Sequence, residues 1–231
     1  MTDLLDKDEF SQESRATSKT SFMGAARPPE GDAHSSIFLD RYGNQHDSTI
    51  KPFPIKERLG VFGVFVAHGR ILLNFPPWAE LCREMAQEME WCAELPGGGV
   101  KDGETEIDGL IRELEEETGM QVDESALSSP AKTEVFFMNL YAEDADTYYR
   151  YTQKFYYYDI SDLVQESKID EIISSADGST AFWQPLEDLD DLILRYGHSH
   201  IIYDAASMVL GHEPREDLGT KTQSSFSKPK R

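Results

Sequence analysis

The sequence predicts an α/β fold in which a mixed β-sheet is flanked by helices. Three observations lead there. An early segment is apolar on both of its alternating sets, two later aromatic runs are joined by an acidic turn, and helical patterning lies between and after them. At 231 residues and 39% apolar content, the chain can build one well-packed domain with extensions.

In chain order, residues 1–50 are rich in Ser, Thr, Asp, Glu and Gly, carry Pro28-Pro29 and lack sustained periodicity. They are expected to form a flexible arm, with Ile37-Phe38-Leu39 and Phe53-Pro54-Ile55 able to pack onto the domain proper, residues 51–211. Leu59 to Ala67 predicts a strand covered on both faces. His68-Gly69 then turns the chain into Arg70 to Phe75, making a hairpin that Pro76-Pro77 ends. Trp78, Leu81, Cys82, Met85, Met89 and Cys92 follow helical spacing. Core packing is the leading reading of this Met-rich face of the Trp78–Glu90 helix, and a lid or a homodimer contact is the other. Thr133 to Ala142 and Tyr149 to Ile160 predict a second hairpin across Glu143-Asp144-Ala145-Asp146. Half of its alternating aromatics should face the core, leaving the rest to stack on a base or line a cleft. Ala181 to Pro185 predicts a short strand, followed by helices near Leu186 to Tyr196 and Ser199 to Leu210. His198 and His200 read as surface histidines at a helix start. Residues 212–231 are polar, rich in breakers and basic at the end, and are expected to form a disordered tail.

The formal net charge of −21 narrows the class of partner. Such a field repels a long phosphate backbone and an anionic membrane surface, so neither nucleic acid nor membrane is expected as a partner. It admits a small anionic ligand if a divalent cation bridges the two. No stretch approaches the ~18 apolar residues of a membrane span. The acidic start, Met1 to Glu9, lacks the basic and apolar regions of a secretory signal. The two cysteines, Cys82 and Cys92, form no CxxC pair, and a reduced cytoplasmic setting is expected.

Residues 94–122, ELPGGGVKDGETEIDGLIRELEEETGMQV, carry the chemistry. A Gly-rich loop leads into a very acidic helix, with Thr105 as N-cap, Asp108 completing a capping box and Gly119 as the stop. Ile107, Leu110, Ile111 and Leu114 share one face and would dock on the sheet. Glu113, Glu116 and Glu117 stand at i, i+3 and i+4, so their carboxylates project together and, beside Glu115, call for a compensating cation. Oxygen ligation of this kind suits Mg²⁺ or Mn²⁺. Gly109 falls on the glutamate sector, where clear space for a phosphate would offset its helix cost. Arg112 can steer one carboxylate by a bidentate pair. Gly97, Gly98 and Gly99 let backbone groups approach a metal or a phosphate with no Cβ in the way, and are the candidate substrate-binding residues.

Gly98, five residues, Glu104, seven residues, then Arg112 to Met120 matches GX5EX7REUXEEXGU at every defined position, and on these residues the chain resembles the Nudix hydrolases. Met120 at the last aliphatic position is the mildest departure. The lead-in Glu94-Leu95-Pro96-Gly97-Gly98 is similar too, and the likeness extends over roughly residues 55–210. The resemblance implies an α/β/α sandwich with the box as a loop-helix-loop. It implies Mg²⁺ or Mn²⁺ held mainly by Glu116 and Glu117, with Glu113 and a Gly97 carbonyl, supported by Glu104 and Arg112. The expected reaction is hydrolysis of a phosphoanhydride bond in a small nucleoside diphosphate derivative. Either Glu113 or an acid outside the box takes the proton, with Asp177 favoured over Asp170 and Glu171. Two rival readings are a nucleotide-binding or regulatory module on the same fold without catalysis, and an acidic calcium-buffering protein, which lacks a DxDxDG loop.

Overall fold

A computed structural model describes residues 31–40, 43–75, 92–169, 171–175 and 178–211. Its centre is β3 (Ile55–Ala67), flanked by β8 (Thr147–Asp159) on one edge and by β4 (Arg70–Phe75) and β6 (Gly97–Gly99) on the other. β3 and β8 run parallel from Ile55↔Tyr148 to Val66↔Asp159, and β7 (Lys132–Ala142) pairs antiparallel with β8. β10 (Thr180–Pro185) and β9 (Ile173–Ser174) extend the sheet beyond β4. β1 (Ile37–Leu39) and β2 (Gln45–Asp47) extend it beyond β7. The folded body therefore continues upstream of residue 51. Phe38 is fully buried there against Tyr148 and Tyr141, the packing expected of its apolar triplet.

Alternation along the strands builds two cores. Val61, Phe65 and Ala67 face one side with Leu72, Tyr156, Tyr158 and Trp183. Phe62, Val64 and Val66 face the other with Ile71, Leu73, Phe155 and Tyr157. The helix α1 (Glu106–Thr118) covers the first face through Leu110 and Leu114. The helix α2 (Ser199–Leu210) covers the second through Ile201, Ile202, Ala205 and Ala206. Each fully buried leucine contributes about 1.5–3 kcal/mol relative to exposure. The result is an α/β/α sandwich, and the aromatic runs serve both cores instead of leaving one set free.

Local signals explain the element ends. His68 and Gly69 both take positive φ (49° and 76°), the conformation of a two-residue hairpin turn between Ala67 and Arg70. Thr105 Oγ1 accepts from Asp108 N–H at 3.1 Å and Thr105 N–H donates to Asp108 Oδ2 at 3.3 Å, closing the predicted capping box. Gly119, at φ 67°, ends α1 as the C-cap.

Two expectations need correction. Leu186 to Tyr196 does not form a helix: it makes one 3₁₀ turn (Leu189–Asp191) and then β11 (Ile193–Leu194). Leu186 and Leu189 are buried at i, i+3, a spacing that a single 3₁₀ turn also satisfies, while the Asp-rich remainder disfavours helix. Cys92 does not continue the preceding helical pattern. It begins β5 (Cys92–Ala93), parallel to β11 and buried. The Trp78–Glu90 helix and the tail lie outside the described residues. Among those that are described, no helix is long and apolar enough to cross a membrane.

Candidate active site

The site forms where β6 crosses β3. Gly97, Gly98 and Gly99 pair with Phe62, Val61 and Gly60, which brings the loop flat against the strand. Gly97 sits at φ 142°, and a Cβ there would collide with the Val61 carbonyl. At Gly98 a Cβ would stand 2.5 Å from Glu113 Oε1, so the missing side chain is what lets that carboxylate lie over the loop.

Arg112 organises the carboxylates. Its Nε and Nη2 make a fork on Glu104 at 2.6 and 3.1 Å, and Nη1 meets Glu113 Oε1 at 2.8 Å and Glu116 Oε2 at 3.0 Å. Nη2 also donates to the Gly99 carbonyl at 3.0 Å, tying helix to loop. The Arg112 fork, followed by the Lys101 amide, lowers the Glu104 pKa to about 2, so this carboxylate is charged at any working pH. The Arg112 pKa is driven upward, first by Glu104. Glu117 Oε2 accepts from Gly97 N–H at 2.8 Å, so it is the amide of Gly97 that this loop presents to α1.

Glu113 and Glu116 are thus brought together on Arg112, while Glu117 is held separately by the Gly97 amide. The three are not among the groups whose ligand atoms converge within 4.8 Å in the described residues. Glu115 turns aside to accept from Gln121 Nε2 at 2.9 Å. Lys101 adds only an exposed contact to Glu116 at 3.7 Å. Arg112 bridges Glu104, Glu113 and Glu116, and the loop amide holds Glu117, so the side chains here are an all-oxygen set whose chemistry suits a hard divalent cation. Gly109 is a correction. It does not open onto clear space, because Glu104, Val100 and Val61 close over it, and a methyl there would make ordinary contacts of 3.4–3.6 Å.

Asp177 and Asp170 lie outside the described residues. Glu171 is exposed and lines a shallow depression of about 300 Å³ between Arg70, Phe75, Phe182 and Trp183, with no box residue in its wall. His198 and His200 are not surface residues but are 0% and 5% exposed. His198 packs edge-on against Phe62 and Phe155, with ring centroids 4.5 and 5.5 Å away, and its Nδ1 accepts from Leu95 N–H at 3.2 Å. Burial first, then Arg195 and His200, pushes its pKa well below the usual histidine value, so it stays neutral. Arg195 pairs with Glu94, also pinning the lead-in to the chain just before α2. Neither tie was foreseeable, since the partners are about a hundred residues apart and nothing local marks them. A separate group, Asp40, His46 and Glu143, brings ligand atoms within 4.8 Å of one another near the β1–β2 hairpin. Asp40 already accepts from Asn44 N–H and Nδ2, both at 2.9 Å, which gives it a role in shaping that turn.

The family model described as NUDIX domain matches residues 57–204, well over half of the chain. No curated protein matches. Among solved structures, the chain is similar to MutT studied from Aliivibrio salmonicida and Vibrio cholerae, at 16% identity and a TM-score of 0.39, covering 66% of this chain and 98% of that one. A MutT NUDIX hydrolase from Burkholderia pseudomallei is 22% identical with a TM-score of 0.41, over 64% and 96%. A bifunctional NMN adenylyltransferase/ADP ribose pyrophosphatase from Francisella tularensis is 20% identical with a TM-score of 0.44; the match covers 66% of this chain and 41% of that one.

Proposed function

Since the chain belongs to the Nudix family, whose hydrolases act on nucleoside diphosphate derivatives, we propose that it is a divalent-metal-dependent enzyme cleaving the phosphoanhydride bond of a small member of that class. The observation that supports this reading is the placement of three box carboxylates beside the glycine loop: Arg112 holds Glu113 and Glu116, and the Gly97 amide holds Glu117.

Glu113, Glu116 and Glu117, with the Gly97 carbonyl, would hold Mg²⁺ or Mn²⁺, while Glu104 and Arg112 support them from behind. Bound there, such ions supply charge neutralisation of the diphosphate and a water of lowered pKa. The protein's own part is positional. Arg112 fixes Glu113 through Oε1 and leaves Oε2 to receive a proton, making Glu113 one candidate base and Asp177 the other. Gly97, Gly98 and Gly99 let the loop lie against Val61, Glu113 and Arg58 with no side chain between, so the phosphates would be met by these groups at the loop. Gly97 N–H holds Glu117 so that the carboxylate does not swing into solvent.

The test is a panel of nucleoside diphosphate derivatives assayed with Mg²⁺ and Mn²⁺. Hydrolysis of at least one compound, abolished by EDTA, is expected, and melting temperature should rise with metal concentration. A metal-dependent shift with no product from any compound would favour a binding module. No shift and no product would remove the metal site altogether.

A further inference from the structure

On the sheet face opposite Glu113, the same crossing of β6 and β3 holds two donors without acceptors. Arg58 is exposed on β3, its guanidinium carbon 5.2 Å from the Tyr149 ring centre and 5.5 Å from that of Tyr151. Among the described residues it meets no carboxylate, whereas Arg112, Arg150 and Arg195 each meet at least one. That is unexpected in a chain of net charge −21, where acids outnumber bases 43 to 22. Tyr151 is 3% exposed, and its hydroxyl has no hydrogen-bond partner among the described residues. Burial raises its pKa, so it remains a donor.

Two glycines make room for this pair. A Cβ on Gly99 would stand 2.6 Å from Arg58 Nε and Nη2, and a Cβ on Gly60 would collide with the Tyr151 hydroxyl. Gly98 and Gly99 are successive residues of one edge strand, so the first opens toward Glu113 and the second toward Arg58. The charged groups that act on the Tyr151 phenol are Arg58, then Arg195 and Glu94, which pair with each other, and last Glu113.

We propose that Arg58 and Tyr151 form an anion subsite for the substrate phosphate that extends past the box carboxylates over the Gly99 edge. A guanidinium stacked on aromatic faces keeps its N–H edge free for phosphate oxygens, and the tyrosine hydroxyl offers the second donor. This assignment rests on the proposed hydrolase reading and adds to it a preference for substrates with charge beyond the scissile bond.

The test compares wild type with R58A, R58K and Y151F, using the best substrate of the panel and inorganic pyrophosphate as an inhibitor. R58A should raise KM about tenfold or more with kcat little changed, and weaken pyrophosphate inhibition by the same factor. R58K should fall between, and Y151F should show a smaller rise. The metal-induced rise in melting temperature should match wild type in all three, which checks that the box is intact. A raised KM with unchanged pyrophosphate inhibition would place the contact elsewhere on the substrate and overturn the phosphate subsite. Unchanged KM in R58A, with wild type active, would overturn it too while leaving the hydrolase standing. A wild type inactive on the whole panel would sink both readings.

Discussion

His198 offers a measurable link between fold stability and the loop that carries the site. Its imidazole is fully buried between two phenylalanines, and its Nδ1 accepts the Leu95 amide two residues before Gly97. His198→Phe keeps the ring volume but strands that amide without an acceptor. A buried donor left unsatisfied costs about 1–3 kcal/mol. The substitution also removes the Nε2 proton donor, itself buried without a partner among the described residues, so the net cost is at the low end. At about 2–4 °C per kcal/mol for a domain of this size, a fall of about 2–4 °C is expected at pH 8.

The pH dependence separates this histidine from a general packing defect. Its folded pKa is depressed by burial, so on acidification the unfolded chain takes up a proton at the ordinary value near 6.5 while the folded chain does not. Stability therefore falls as pH drops below that point, with a limiting slope of about 1.4 kcal/mol per pH unit. Integrated from pH 7 to 5.5, the loss is about 1 kcal/mol, or about 2–4 °C. The variant lacks this group and should lose correspondingly less over the same interval. Thermal melts of both proteins at half-unit pH steps make the comparison, with carboxylate titration below that window common to both. Parallel profiles for wild type and variant would refute the argument that His198 is held neutral.

Three further outcomes follow from the site. Glu117→Gln weakens its hold on both a cation and the Gly97 amide, and should reduce turnover at least a hundredfold with the circular dichroism spectrum unchanged; near-normal activity at saturating Mg²⁺ would exclude Glu117 from the metal site. Gly98→Ala must displace the Glu113 carboxylate, since the new methyl would stand 2.5 Å from Oε1, and should cut kcat more than it raises KM. Arg112→Lys keeps the charge but cannot span Glu104, Glu113 and Glu116 at once, so kcat should fall at least tenfold, and wild-type kcat would show that the network does not set the reactive geometry.

What could be read from the sequence was whatever depends on near neighbours. The capping box, the Gly119 stop and the two-sided burial of β3 are encoded within a few residues, and they stand as expected. Leu186 to Tyr196 went the other way because i, i+3 leucines fit both an α-helix and a 3₁₀ turn. The choice was made by pairing with Cys92, far away in sequence. Polar partners across the sheet left no trace either. His198 to Leu95 and Arg195 to Glu94 join segments that the sequence presents as unrelated, so histidines that looked solvent-facing are core groups. Gly109 shows the limit of angular reasoning on a helix: Glu104, Val100 and Val61 close the space above it, so the clearance expected there is absent.

The use already made of Arg112 constrains how an acidic protein can take an anionic substrate. Its Nε is engaged by Glu104, its Nη1 by Glu113 and Glu116, and its Nη2 by Glu104 and the Gly99 carbonyl. Nothing in that arrangement leaves a donor aimed at a phosphate, so the one cation at the centre of the box serves the protein's own carboxylates. Lys101, exposed and 3.7 Å from Glu116, adds little in high dielectric. Positive charge for a diphosphate must therefore come from ions held by Glu113, Glu116 and Glu117, or from a cation outside the box that has no carboxylate of its own. Arg58, which meets no carboxylate among the described residues, is such a cation, and in the proposed subsite it would act on a part of the substrate beyond the box. Division of this kind separates two functions that mutation can test independently: box substitutions should lower kcat, whereas loss of Arg58 should act on KM.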